Sequence, residues 1–166
     1  MYKSILFVCE ANKCRSAMAE LLLRRMLQER GLDHRIQVRS GGIAFYAWDG
    51  SLVSHDVIIL LKGDGIIVPD EFRATDLKRH PELFAEADLI ITMTETQLQK
   101  LADFPEAKGK EAYTLKQLAG ESGDIADPER QENKGDYDGD PYAACKLDIE
   151  RCLKKAIGRI CPEAAS

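Results

Sequence analysis

Cys9 and Arg15 stand six positions apart in the run Val-Cys-Glu-Ala-Asn-Lys-Cys-Arg-Ser, between an apolar segment and an amphipathic one. That arrangement makes Cys9 a candidate nucleophile for phosphate esters. A loop entering a helix N-terminus turns several backbone N–H groups toward one point, and the helix dipole adds positive potential there. Thiols so placed beside cations titrate at roughly 3.5–7.5 rather than the ~8.5 of free cysteine, so Cys9 is expected as a thiolate at neutral pH. Arg15 offers a planar fork for two phosphate oxygens. Asn12 tolerates left-handed backbone geometry, and the Ser16 hydroxyl can hydrogen-bond a thiolate. The bland alternative is a cysteine that merely packs.

Spacing alone does not decide the matter, because Cys145 and Arg151 are separated by the same interval. Cys145 falls on an apolar stripe with Ile149, Cys152, Leu153, Ala156 and Ile160, and Arg151 projects from the opposite face, so that second match is helical core spacing. Context separates the two. Tyr2 to Val8 reads as a short buried strand, and from Arg15 the stripe Met18, Leu21, Leu22, Met26 reads as a helix ending at Gly31. Strand, tight loop, helix is the setting a phosphate cradle requires.

The remaining segments alternate in the same way. Arg35 to Ser40 reads as a strand closed by Gly41-Gly42, and Ser51 to Lys62 as a helix. A short apolar segment, Gly65 to Val68, follows. Pro81 to Ala87 reads as a short helix, Leu89 to Met93 as a buried strand and Thr94 to Leu101 as a helix with a threonine cap. Tyr113 to Leu115 reads as a last strand and Tyr142 to Ile160 as the closing helix. This pattern predicts one α/β domain over residues 1–166, a mostly parallel sheet with helices on both faces and the phosphate-binding loop between the first strand and first helix. Ligands on such sheets sit beyond the carboxyl ends of the strands, where Cys9 falls.

Composition narrows the function classes. With 166 residues and 45% hydrophobic content the chain suits one core. A net charge of −5 gives no broad basic footprint for nucleic acid. No signal-peptide pattern opens the chain and no run approaches ~20 apolar residues, so a soluble cytoplasmic protein without membrane partners is expected. The five cysteines lack zinc-site spacing, and reduced thiols are the default reading. His34, His55 and His80 are expected at the surface, with no serine hydrolase pattern.

Cys9-x5-Arg15-Ser16 after an N-terminal strand, Asp127-Pro128 near the C-terminus and a long closing helix resemble the low-molecular-weight protein tyrosine phosphatases. Arg39-Ser40-Gly41-Gly42 extends the likeness. The segments Ala87 to Thr94, Tyr113 to Lys116 and Gly123 to Pro128 are similar to the bacterial branch that includes protein-arginine phosphatases. The resemblance implies attack by Cys9, phosphoryl binding by Arg15 and the loop residues Glu10 to Ser16, and protonation of the leaving group by Asp127. Water would then hydrolyse a phosphocysteine. Asn12, Ser16 and Ser40 would support the loop. It implies no metal or organic cofactor, and phosphoproteins or small phosphomonoesters as substrates.

The chain departs from the family pattern at several places. Ala11 replaces a glycine, and a Cβ at a positive-φ position would cost roughly 1–2 kcal/mol. Lys13 differs from both branches and leaves phosphotyrosine and phosphoarginine open. Glu10 sets a negative charge beside the site, either balanced by Lys13 or, with it, turned to solvent. Glu129 stands where an aromatic residue commonly follows Asp-Pro. Phe45, Tyr46 and Trp48 are candidates for an aromatic rim, with core packing as the alternative for Phe45 and Trp48. Residues 129–141 read as an inserted surface loop; its aspartates faintly resemble a calcium loop, but Pro141 and Leu147 break that pattern. The loop ends in a second Asp-Pro, and Asp140 is an alternative acid, although the register of the last helix makes it a cap.

A cysteine-dependent phosphatase is therefore the expected function. A thioredoxin-coupled arsenate reductase is disfavoured because residues 70–127 carry no cysteine. A phosphate-binding or phosphocarrier module is the alternative of another class, though it would have no use for a leaving-group acid. Cys14, close to Cys9 on the loop, is expected to protect it from oxidation as a disulfide, or else simply to pack.

Overall fold

The computed structural model describes residues 2–130 and 140–165. Strand β1 (Ser4–Cys9) lies inside a four-stranded parallel sheet of order β2-β1-β3-β4, with β2 at Gln37–Gly42, β3 at Leu89–Thr92 and β4 at Glu111–Thr114. Both faces of β1 are apolar because both are covered. Ile5 and Phe7 face a core built with α1 (Arg15–Glu29), α2 (His55–Gly63), α5 (Leu115–Leu118) and α6 (Pro141–Ile160). Leu6 and Val8 face Leu77, Leu101 and Phe84, the last from α3 (Glu82–Glu86). One short helix, α4 (Glu95–Lys100), packs against β3 and β4. The expected single α/β domain with helices on both faces is what forms.

From β1 the chain crosses to β2 on one side and later to β3 on the other, so the loops diverge beyond the end of β1. This switch point opens the crevice in which an α/β sheet binds its ligands. Cys9 is the last residue of β1 and Arg15 the first of α1.

Some boundaries move for identifiable reasons. The helix expected from Ser51 begins at His55, because Ser51 and Leu52 are spent on the 73–74 segment: Ala74 N donates to Ser51 O and Leu52 bridges Arg73. The last strand starts at Glu111, and Leu115 opens α5 behind a capping box of Thr114 and Gln117. The threonine cap expected at Thr94 is present, reciprocated by Gln97. His34 and His55 are exposed, but His80 is half-buried and bonds the carboxylates of Asp49 and Glu82. Much of the 129–141 loop, including the calcium-like aspartates before Asp140, lies outside the described residues. Among the described residues no helix is long and apolar enough to cross a membrane.

Candidate active site

The loop from Glu10 to Cys14 is held by its carbonyls. Cys9 O accepts from Ile43 N at 3.0 Å, Glu10 O from Ala44 N at 3.0 Å and Lys13 O from Ser54 N at 2.9 Å. With these carbonyls turned outward, the N–H groups of residues 11 to 14 have no acceptor among the described residues. Amides in that state at a helix N-terminus form an anion cradle. The close fit depends on Gly42, where an added Cβ would lie 2.5 Å from Glu10 O and 2.8 Å from Ala11 C.

Asn12 is the left-handed residue, at φ 60°. Its Oδ1 accepts from Thr75 N at 2.9 Å, and its Nδ2 donates to Ser16 Oγ and Ser40 Oγ, each at 2.8 Å. These bonds meet the strain of an αL non-glycine residue. Ala11 is not in a positive-φ conformation, so the Cβ penalty expected there is absent. The left-handed step falls one residue later, on a side chain that can anchor it.

Cys9 Sγ lies 2.8 Å from Ser16 Oγ. Arg15 is buried; its Nη1 donates to Ile125 O at 2.9 Å and its Nη2 lies 3.6 Å from Asp127 Oδ2. Glu129 N donates to Asp127 Oδ1 at 3.0 Å, and Arg130 Nε is 3.9 Å from Oδ2. A small cup of about 50 Å³ is bounded by Cys9, Lys13, Arg15, Tyr46, Asp127 and Glu129. A second cavity of about 320 Å³ shares Glu10, Arg15 and Asp127 with it and extends to Thr94 and Lys100. A thiol, a guanidinium and a carboxyl around one cup can carry out nucleophilic displacement at phosphorus with proton donation to the departing group.

The rim candidates separate. Tyr46 borders the cup, and burial followed by the charges of Glu10 and Asp127 raises its hydroxyl above the usual range. Phe45, 90% exposed, packs edge-on against Tyr46 with ring centroids 5.1 Å apart. Trp48 is 70% exposed and borders neither cavity, so neither Phe45 nor Trp48 packs in the core, and of the three only Tyr46 lines the cup. Glu10 is half-buried and its Oε1 accepts from Gln97 Nε2 at 3.3 Å, which draws it toward α4, whereas Lys13 is exposed. Asp140 is not brought to the cup; its Oδ1 accepts from Tyr142 N at 2.9 Å as the N-cap of α6. Cys14 is buried under the loop, where a hydrogen bond with Cys145, then burial, then the charge of Cys9 push its thiol well up.

Three supporting residues escape the sequence reading: Thr75, Gln97 and Glu20. Thr75 and Gln97 arrive from distant segments with no local signal. Glu20 had one, since it lies one helical turn beyond Ser16, on the side of α1 that packs on the sheet.

A family model described as low molecular weight phosphotyrosine protein phosphatase matches residues 4–164. A protein-arginine-phosphatase of Geobacillus stearothermophilus is 40% identical over 126 residues, 75% of this chain and 77% of that protein. The low molecular weight protein-tyrosine-phosphatase PtpB of Staphylococcus haemolyticus is 32% identical over 124 residues, 75% of this chain and 80% of its own length. Among solved structures, the YwlE arginine phosphatase from Geobacillus stearothermophilus superposes with a TM-score of 0.75 at 32% identity, covering 98% of this chain and 96% of that one. The low molecular weight protein tyrosine phosphatase from T. tengcongensis gives 0.79 at 26% identity, covering 95% and 99%.

Proposed function

This chain belongs to the low molecular weight phosphotyrosine protein phosphatase family, and from that premise we propose that Cys9, Arg15 and Asp127 carry out cysteine-dependent hydrolysis of protein phosphotyrosine. The observation that carries the reading is their convergence on one cup, with Arg15 Nη2 3.6 Å from Asp127 Oδ2. Cys9 Sγ attacks phosphorus while Arg15 and the loop N–H groups bind the equatorial oxygens, which hold the developing charge. The bond to the phenolic oxygen breaks, and the carboxyl of Asp127 gives that oxygen its proton. Water then attacks the phosphocysteine, Asp127 takes up the proton, and the P–S bond breaks to return the thiolate and release phosphate. Tyr46 at the mouth suits an incoming phenol ring.

A second reading, hydrolysis of protein phosphoarginine, draws support from the carboxylates of Glu10, Asp127 and Glu129 around the cup, which would meet a cationic guanidinium. Lys13 opposes it from the same rim. The five free thiols suit a reducing, cytoplasmic setting. A panel of phosphotyrosine, phosphoarginine and phosphoserine peptides tests the reading. Preferred turnover of phosphotyrosine is expected; preference for phosphoarginine would establish the second reading, and inertness toward all three would overturn both.

A further inference from the structure

Strand β2 is an edge of the sheet, and its outer side is only partly paired. Gln37 N donates to Lys3 O at 2.8 Å and Ile43 N to Cys9 O at 3.0 Å. Alternation along the strand therefore turns the N–H and C=O groups of Val38, Ser40 and Gly42 outward, away from β1. At Gly42 they pair with residues 75–77: Gly42 N donates to Thr75 O and Leu77 N to Gly42 O, each at 2.9 Å. At Val38 the carbonyl accepts from Arg24 Nε at 3.3 Å and Nη2 at 2.9 Å.

The rung between them is missing. Thr75 N, which would donate to Ser40 O, donates instead to Asn12 Oδ1 at 2.9 Å. Ala74 is drawn away to the other side, its N donating to Ser51 O at 2.9 Å and its carbonyl accepting from Gly50 N at 3.0 Å. The Ser40 N–H is left without an acceptor among the described residues, at a residue only 5% exposed. A buried amide in that state costs free energy until something accepts from it.

A cavity of about 360 Å³ fills the gap, within the size range of small-molecule sites. The guanidiniums of Arg24, Arg39 and Arg73 line it, and each keeps donors unspent among the described residues. Arg24 commits Nε and Nη2 to Val38 O and Glu20, leaving Nη1. Arg39 gives Nε and Nη2 to the Gln37 side-chain oxygen, at 3.0 and 2.9 Å, leaving Nη1. Arg73 gives Nη1 to the carbonyls of Asp70 and Phe72, leaving Nε and Nη2. Two carboxylates share the lining: Glu20, already covered by Ser40 and Arg24, and the exposed Glu71. Phe72 and Leu83 add carbon surface.

We propose that this cavity is a second anion site, separate from the catalytic cup, for a small organic phosphomonoester or phosphonate. The phosphoryl dianion lies among the three guanidiniums and the Ser40 N–H, and its apolar body lies against Phe72 and Leu83. The donors decide the class. They outnumber what the two oxygens of a carboxylate accept, whereas a phosphoryl group presents three strongly accepting oxygens, and guanidinium forks match its geometry. The site shares no lining residue with the cup or with the cavity beside it, so it needs neither Cys9 nor Arg15.

Phenylphosphonate, whose P–C bond resists hydrolysis, is the probe. It is titrated into the isotope-labelled full chain and followed by amide NMR shifts, after carboxymethylation of Cys9 by iodoacetate has filled the cup. Saturable shifts are expected at Ser40, Phe72 and Arg73. Arg39→Gln and Arg73→Gln, both at exposed positions, should each weaken this binding about tenfold while leaving the rest of the amide spectrum in place, so a fold defect in one leaves the other as the test. Glu71→Gln, which removes a like charge, should tighten it about two- to threefold. Benzoate, with the same ring and a single charge, should bind more weakly, and benzyltrimethylammonium should not bind. Absent or unsaturable shifts at Ser40 and Arg73, an affinity untouched by both arginine substitutions, or benzoate binding as tightly as phenylphosphonate would overturn the proposal.

Discussion

Asp127→Ala removes the carboxyl that faces Arg15 across the cup at 3.6 Å. If Asp127 donates the proton, its loss costs roughly 10²–10⁴-fold in rate, about 3–5 kcal/mol of transition-state stabilisation. That cost scales with the basicity of the departing oxygen. A phenol of tyrosine-like basicity needs the proton, whereas a nitrophenolate leaves almost unaided. A purely electrostatic Asp127 would behave differently. Its removal would leave Arg15 more positive toward phosphate, lowering KM and changing kcat equally for every leaving group. The assay is kcat for a series of aryl phosphates of increasing leaving-group basicity, for wild type, Asp127→Ala and Asp140→Ala. Asp127→Ala should fall progressively further behind wild type along the series. Asp140→Ala loses only the N-cap bond to Tyr142 N, worth about 1 kcal/mol of stability, and should alter rates by no more than a few-fold. A parallel drop across the series, or a larger effect in Asp140→Ala, would refute the assignment.

Cys9→Ser should abolish turnover yet still bind vanadate, since the cradle is backbone; hydrolysis of an aryl phosphate at even a tenth of the wild-type rate would contradict the covalent route. Mild peroxide should give a reversible Cys9–Cys14 disulfide. Because the Cys14 thiol is buried and held protonated by Cys145, it should react only after Cys9 has been oxidised, and mass mapping that finds Cys9 as sulfinic acid beside free Cys14 would count against protection. Gly42→Ala forces a Cβ onto the backbone of Glu10 and Ala11 and should cost about 1–3 kcal/mol, a Tm drop of several degrees by calorimetry, together with a loss of kcat. The hydrogen bond to Asp49 raises the His80 imidazole above its ordinary 6.5. Its contribution to stability is therefore full below that value and lost as pH rises through the folded-state value, so the Tm gap between wild type and His80→Gln should shrink from pH 6 to pH 9.

Local pattern was enough for the frame. Alternation of apolar strand and amphipathic helix, with Gly31 after the first helix and Thr94 before α4, specifies an α/β layer arrangement, because each signal acts within a few residues of itself. The candidate nucleophile loop was legible for the same reason: Cys9, Asn12, Arg15 and Ser16 share one loop and helix start. Asp127 depended on the family likeness, since an isolated Asp-Pro pair carries no chemistry of its own. Only the tertiary structure decided the rest. Strand order places Thr75, Ile125 and Gln97 beside a loop more than 60 residues away in sequence. It also decided that the left-handed step belongs to Asn12 and not Ala11, because the amide that satisfies Asn12 Oδ1 comes from Thr75 across the sheet edge. Contacts of that kind join residues whose separation leaves no periodicity to read. The direction of each hydrogen bond among them follows from the donors and acceptors that packing brings within reach.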